Sequence, residues 1–153
     1  SFTRGIAIDL SYSGIGLSGN QFAPTPLTAP AVNQPIDILF APDGSVAFVS
    51  TDNQGNVGPA IGMIYLCLGT TDGVVEPPNP TVAATPAELF ENSSQVVSNI
   101  TNLDSIWIVI NPNTGRVVTA PFASISGVPA TVGEGLATAR GLAILSDTLD
   151  SEP

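Results

Sequence analysis

The chain has 153 residues, 43% apolar and 10% charged, and its 13 carboxylates against 3 cations leave a net charge of −10. Such a length reads as one domain, residues 1–153, with a real hydrophobic core, and the hydrophobicity excludes disorder. The acidic balance argues against nucleic acid or an anionic membrane as partner. The absence of histidine excludes Ser/His/Asp and Cys/His catalysis. With 15 Gly and 14 Pro, the composition predicts many short strands rather than long helices. The expected fold class is therefore mainly β with minor α, an antiparallel sheet or sandwich carrying one or two short helices.

In chain order, Ser1-Phe2-Thr3-Arg4-Gly5-Ile6 enters a strand pattern almost at once, which suggests a processed or truncated end. Gly5 to Tyr12 alternates Ile6, Ile8, Leu10 and Tyr12 against Gly5, Ala7, Asp9 and Ser11. This predicts a half-buried strand with the Asp9 side in solvent. Residues 13–20 read as a Gly/Ser loop. Gly14, Gly16 and Gly19 match G-x-G-x-x-G, but Pro24 and Pro26 prevent the helix that a dinucleotide site requires. The proline-rich segment 22–35 reads as an extended connector.

Residues 35–50 predict a hairpin turning at Ala41-Pro42-Asp43-Gly44. Ile36, Ile38 and Phe40 are expected on one face, Asp37 on the other, and Val46 and Phe48 together. In the polar loop 51–59, Asp52, Asn53 and Asn56 are oxygen ligands of the kind calcium takes. They lack the spacing and terminal Glu of an EF-hand, so a solvated loop is the plainer reading. Residues 61–70 form a continuous apolar run and predict a strand covered on both faces. Cys67 lies inside it and reads as a buried, inert thiol.

After the proline-bearing loop 71–84, Thr85-Pro86-Ala87-Glu88 predicts a capped helix with Leu89 and Phe90 facing the core. Asn92 and Asn99 head N-x-[ST] triplets, which would mark a glycosylated surface. Ser105 to Phe122 is the strongest stretch. Ile106, Trp107, Ile108, Val109 and Ile110 are apolar on both alternating faces, Asn111 to Gly115 supplies the turn, and Arg116 to Thr119 returns. Thr131-Val132-Gly133-Glu134 offers a second capping box, followed by Leu136, Ala139, Leu142, Ala143 and Leu145 at helical spacing. Residues 146–153 read as a frayed acidic tail. No run is long enough to span a membrane as a helix.

Three stretches carry a resemblance: Ile38 to Val46, Ile64-Tyr65-Leu66, and Trp107 to Val117. Together they resemble the globular head of type IV pilin-like proteins, in particular minor pseudopilins of the type II secretion H type and related minor pilins. The resemblance spans roughly residues 36–119. It implies an antiparallel sheet packing on a long N-terminal helix, and a structural rather than catalytic role. The G-F-T-L-x-E segment of that pattern is not in this sequence.

The expected function is a structural subunit of an extracellular pilus-like or pseudopilus filament, at the cell surface, or periplasmic in the pseudopilin case. Its partners would be copies of itself, other pilins or surface glycans, and no cofactor is expected. Self-association is assigned to the N-terminal strand, residues 3–12, through Gly5, Ile6, Ala7, Ile8 and Leu10, by strand-edge contact or strand donation. The alternative is a soluble glycan- or ligand-binding β module using the loops 13–35 and 71–84.

Overall fold

The computed structural model describes residues 5–23, 36–50, 57–74, 85–90 and 97–144. Its architecture is mainly antiparallel β with short helices, as the composition predicts. The strands are β1 (Ile6–Ile15), β2 (Ile38–Phe40), β3 (Val46–Ser50), β4 (Val57–Gly58), β5 (Ile64–Thr70), β6 (Ile106–Ile110) and β7 (Val117–Pro121). The helices are α1 (Pro86–Phe90) and α2 (Val132–Ala139), with a 3₁₀ turn at Thr71–Gly73. Residues 141–144 are also helical. None of the described helices is long and apolar enough to cross a membrane.

Two sheets form, one in the order β1-β5-β6-β7 and one in the order β2-β3-β4. The two continuous apolar runs, β5 and β6, are neighbours at the centre of the larger sheet. Both of their faces are used. Tyr65, Cys67, Trp107 and Val109 pack with Leu89, Phe90, Leu136 and Ala139 of the helices. Ile64 and Ile110 pack on the other side with Val49 of the smaller sheet and with Phe22. The result is three layers: helices, large sheet, small sheet. Neither ribbon alternates polar residues, because the helices cover one face of each and the smaller sheet covers part of the other.

Local chemistry sets the turns and caps. Gly44 (φ +91°) and Gly115 (φ +66°) occupy the two hairpin turns, where a left-handed backbone favours glycine. The two turns touch. Val46 N–H donates to Pro112 O at 2.7 Å, and a Cβ on Gly115 would collide with the Gly44 carbonyl. Thr85 and Glu88 form the expected capping box, with Thr85 N–H donating to Glu88 Oε2 at 2.6 Å and Glu88 N–H donating to Thr85 Oγ1 at 3.4 Å. Thr131 Oγ1 caps α2 by accepting from Glu134 N–H at 3.2 Å.

Several expectations need correction. β1 continues to Ile15 through the stretch read as loop, because a bulge lies between Asp9 and Gly14. The bulge changes the phase of the strand, so Tyr12 joins the helix-side core rather than the side of Ile8. Asp9 is fully buried, not in solvent. In β3, the register pairs Leu39 with Phe48 and Phe40 with Val46, leaving Ala47 as an extra residue. Val46 and Val49 therefore face the core while Phe48 and Phe40 are exposed. Ile61 lies before β5 and is 95% exposed.

Arg140, just past α2, is fully buried. Its Nη1 donates to Gly16 O at 2.6 Å and Leu17 O at 3.0 Å, and its Nη2 donates to Tyr12 O at 2.7 Å. The guanidinium centre lies 4.7 Å from the Tyr65 ring centre and 5.0 Å from that of Trp107. Burial lowers its pKa to about 10, which leaves it charged at neutral pH. One planar group thus joins the end of α2 to the bulge of β1 and to the loop that follows it.

Two outcomes follow for stability. Arg140→Ala should lower the unfolding free energy by about 3–5 kcal/mol, since the carbonyls it serves lose a charge-assisted donor inside the core. Arg140→Lys should recover little, because an ammonium cannot spread over carbonyls that a guanidinium fork reaches together. Gly115→Ala should lower it by roughly 2–3 kcal/mol from backbone strain and the turn-to-turn collision. Urea unfolding midpoints of the three variants check both statements.

Candidate assembly surface

β1 is an edge strand of the large sheet. Which of its backbone groups face outward follows from the ladder. Thr71 N–H donates to Gly5 O at 2.9 Å, so Gly5 faces β5. Pairing alternates along a strand, so Ala7 and Asp9 face β5 as well. Ile6 and Ile8 turn their N–H and C=O groups away from it, where no described residue meets them.

Further along, the same edge is closed. Gly16 N–H donates to Met63 O at 2.8 Å, so Ile15 is again an outward residue. Here the Gln21 side chain acts as a piece of neighbouring strand. Its Oε1 accepts from Ile15 N–H at 2.8 Å and its Nε2 donates to Ile15 O at 3.4 Å. Ser13 O accepts from Phe22 N–H at 3.3 Å. Gly14 and Gly19 leave the space that the Gln21 amide fills, since a Cβ on either would overlap it. The open edge is therefore the N-terminal half of β1.

The side chains there are apolar and wet. Ile6 is 76% and Ile8 46% exposed. Ile8 pairs with Leu68, and Leu68 with Ile106, and directly paired residues share a face. The smaller sheet covers that face at the Ile64 and Ile110 end. Toward the other end Leu68 and Ile106 are only half-buried and the isoleucines of β1 stand free. Of the residues assigned to self-association, Gly5, Ile6, Ala7 and Ile8 lie on this open half. Leu10 does not, because it packs into the core shared with the smaller sheet.

A buried polar knot holds β1 from behind. Asp9 Oδ1 accepts from Ser11 N–H at 3.1 Å and Oδ2 accepts from Asn99 Nδ2 at 3.0 Å. Asn99 Nδ2 also donates to Thr70 O at 3.0 Å, and Asn99 Oδ1 accepts from Thr70 N–H at 2.9 Å. The Asn99 amide thus extends the ladder past the start of β6, sitting where Gly69 and Gly73 have no side chain. Ser13 bridges the bulge, its Oγ donating to Asp9 O at 2.7 Å and accepting from Cys67 N–H at 3.0 Å. Burial raises the Asp9 pKa, against the lowering effect of the Asn99 and Ser11 hydrogen bonds. Burial also pushes the Cys67 thiol up, so the inert reading of Cys67 stands.

Asn99 is accordingly no surface glycosylation site, since its amide is enclosed and fully engaged. Asn92 and the calcium candidates Asp52, Asn53 and Asn56 lie outside the described residues. Among the described residues, no group of three or more acidic, cysteine or histidine side chains is placed to hold a metal. Sequence reading missed Gln21 and the Asp9–Asn99 pair. The available signal was two glycines ahead of a glutamine, Gly14 and then Gly19-Asn20-Gln21, which only the fold makes meaningful. Comparison with protein-family models, with curated proteins and with solved structures finds no match.

The knot makes stability depend on pH. Asp9 has a higher pKa folded than its ordinary 3.8. The folded state therefore holds the proton more tightly, and Asp9's contribution to stability declines as pH rises from about 4 through the raised value. Asn99→Ala removes a donor that favours the carboxylate and leaves Thr70 N–H and C=O without their partner. It should cost about 3 kcal/mol at neutral pH and extend the decline to higher pH. Chemical unfolding from pH 4 to 8, compared with the wild type, measures both effects.

Proposed function

We propose that this protein is a structural subunit of an extracellular pilus-like or pseudopilus filament, built from copies of itself through strand-edge and apolar-face contacts, with no catalytic role. The observation that carries the reading is the open half of β1, an unpaired ladder beside exposed Ile6 and Ile8. Edge strands are ordinarily guarded by charge, proline or a covering segment. The C-terminal half of β1 has such a guard in Gln21, and Ile6, Ala7 and Ile8 have no charged group among them. Edge contact fits better than strand donation, because β1 carries Tyr12 of the core and is pinned to β5 in its own sheet.

The ligand-binding alternative relies on loops 13–35 and 71–84. The described part of the first is occupied in closing the β1 edge, so self-assembly is the reading that the geometry favours.

Light scattering after size exclusion, together with electron microscopy, tests the proposal. The chain should show concentration-dependent oligomers or filaments. Ile8→Lys, which places a charge on the open edge without touching the core, should weaken association by at least about tenfold, or ~1.4 kcal/mol. A strictly monomeric chain at every concentration rejects the reading.

A further inference from the structure

We propose that two copies of this chain pair antiparallel through β1, edge to edge, about a two-fold axis passing by Ala7. The inference rests on the assembly reading above and specifies its contact.

The open ladder is short and self-complementary. Its outward residues, Ile6 and Ile8, flank Ala7. A two-fold axis at Ala7 sets Ile6 of one copy opposite Ile8 of the other, and the reverse. Each such pair exchanges N–H···O bonds in both directions, so every outward group of both residues gains a partner. The axis stands perpendicular to the sheet, which keeps the isoleucines of both copies on one face. There they extend the half-buried Leu68 and Ile106 surface into one apolar block.

Electrostatics selects the same place. A net charge of −10 makes copies repel at long range, so the favoured contact is one that brings no charge together. Asp9 adjoins the window but is buried on the helix side and bonded to Asn99. The opposite edge of the sheet is less suited. β7 ends in Pro121, which has no N–H to offer, and it follows the exposed Arg116. Gln21 confines the pairing, since its amide already fills the ladder position at Ile15. Registers that slide the partner toward the C-terminal half of β1 meet an occupied edge. An isologous contact of this kind closes on itself, so the pair is a building unit and a filament grows from it by a second surface.

The geometry brings the two Ala7 side chains together as a non-hydrogen-bonded pair, with Cα atoms about 4.5 Å apart, inside the range a disulfide spans. Ala7→Cys should therefore form a covalent dimer under mild oxidation, on the order of tenfold faster than Ser126→Cys on an exposed loop. The wild type should form none, because Cys67 is buried. An equimolar mixture of Ile6→Cys and Ile8→Cys chains should give mainly the mixed dimer, identified by mass spectrometry. These positions are exposed, so the mixture stays informative if Ala7→Cys folds poorly. Suppose the wild type assembles, Ala7→Cys links no faster than the control, and the mixture gives no preferred heterodimer. The two-fold register is then overturned and the assembly reading survives. If the wild type stays monomeric at every concentration, both fall.

Discussion

A buried guanidinium with no carboxylate beside it among the described residues is an uncommon thing to build a domain around, and Arg140 is one. Removing a cation from water is expensive unless its donors are met. Here Nη1 and Nη2 are met by the backbone carbonyls of Tyr12, Gly16 and Leu17, the faces of Tyr65 and Trp107 lie against the guanidinium, and Nε alone is left buried without an acceptor among the described residues. Those carbonyls are available because β1 bulges and then turns at Gly16, so the bulge and the cation depend on each other. Trp107 belongs to the same arrangement, stacking on Phe122 with ring centres 4.3 Å apart and donating its Nε1–H to Ala139 O at 3.0 Å. The end of α2, the central strand β6 and the edge strand β1 are thereby held in one fixed relation.

That relation divides β1 into two halves of different character. Its C-terminal half is gripped by Arg140, bridged by Ser13 and closed by Gln21. Among the described residues, the N-terminal half is pinned only on its inner side, by the ladder to β5 and by Asp9 with Asn99. A strand held firmly from within and left open along its outer rim is suited to receive another strand. Rigid positioning matters for such a contact, because an edge that frays must be ordered again on each encounter.

The smaller sheet adds to the asymmetry. It is docked through the touching turns at Gly44 and Gly115 and through Val49, and it shields the Ile64 and Ile110 end of the large sheet. The Ile6 and Ile8 end gets no such cover. An apolar sheet face half covered by the chain's own layers is a natural place for contact with a sister molecule.

Much of the architecture was legible in local pattern. The two runs apolar on both faces marked the central strands, since a strand with no polar side needs cover on each. Pro42-Asp43-Gly44 and Asn113-Thr114-Gly115 marked their turns, and Thr85 and Thr131 marked the helix starts, because caps and left-handed glycines act within a few residues. The tertiary structure decided what those signals could not reach. Asp9 went inside to meet Asn99, 90 residues away in sequence, Arg140 reached back 128 residues to Tyr12, and two bulges reversed the facing of Tyr12 and Phe48. Alternation specifies a side only while the register runs unbroken. A single extra residue, or a polar side chain that finds its partner across the fold, changes the facing and leaves no local trace in the sequence.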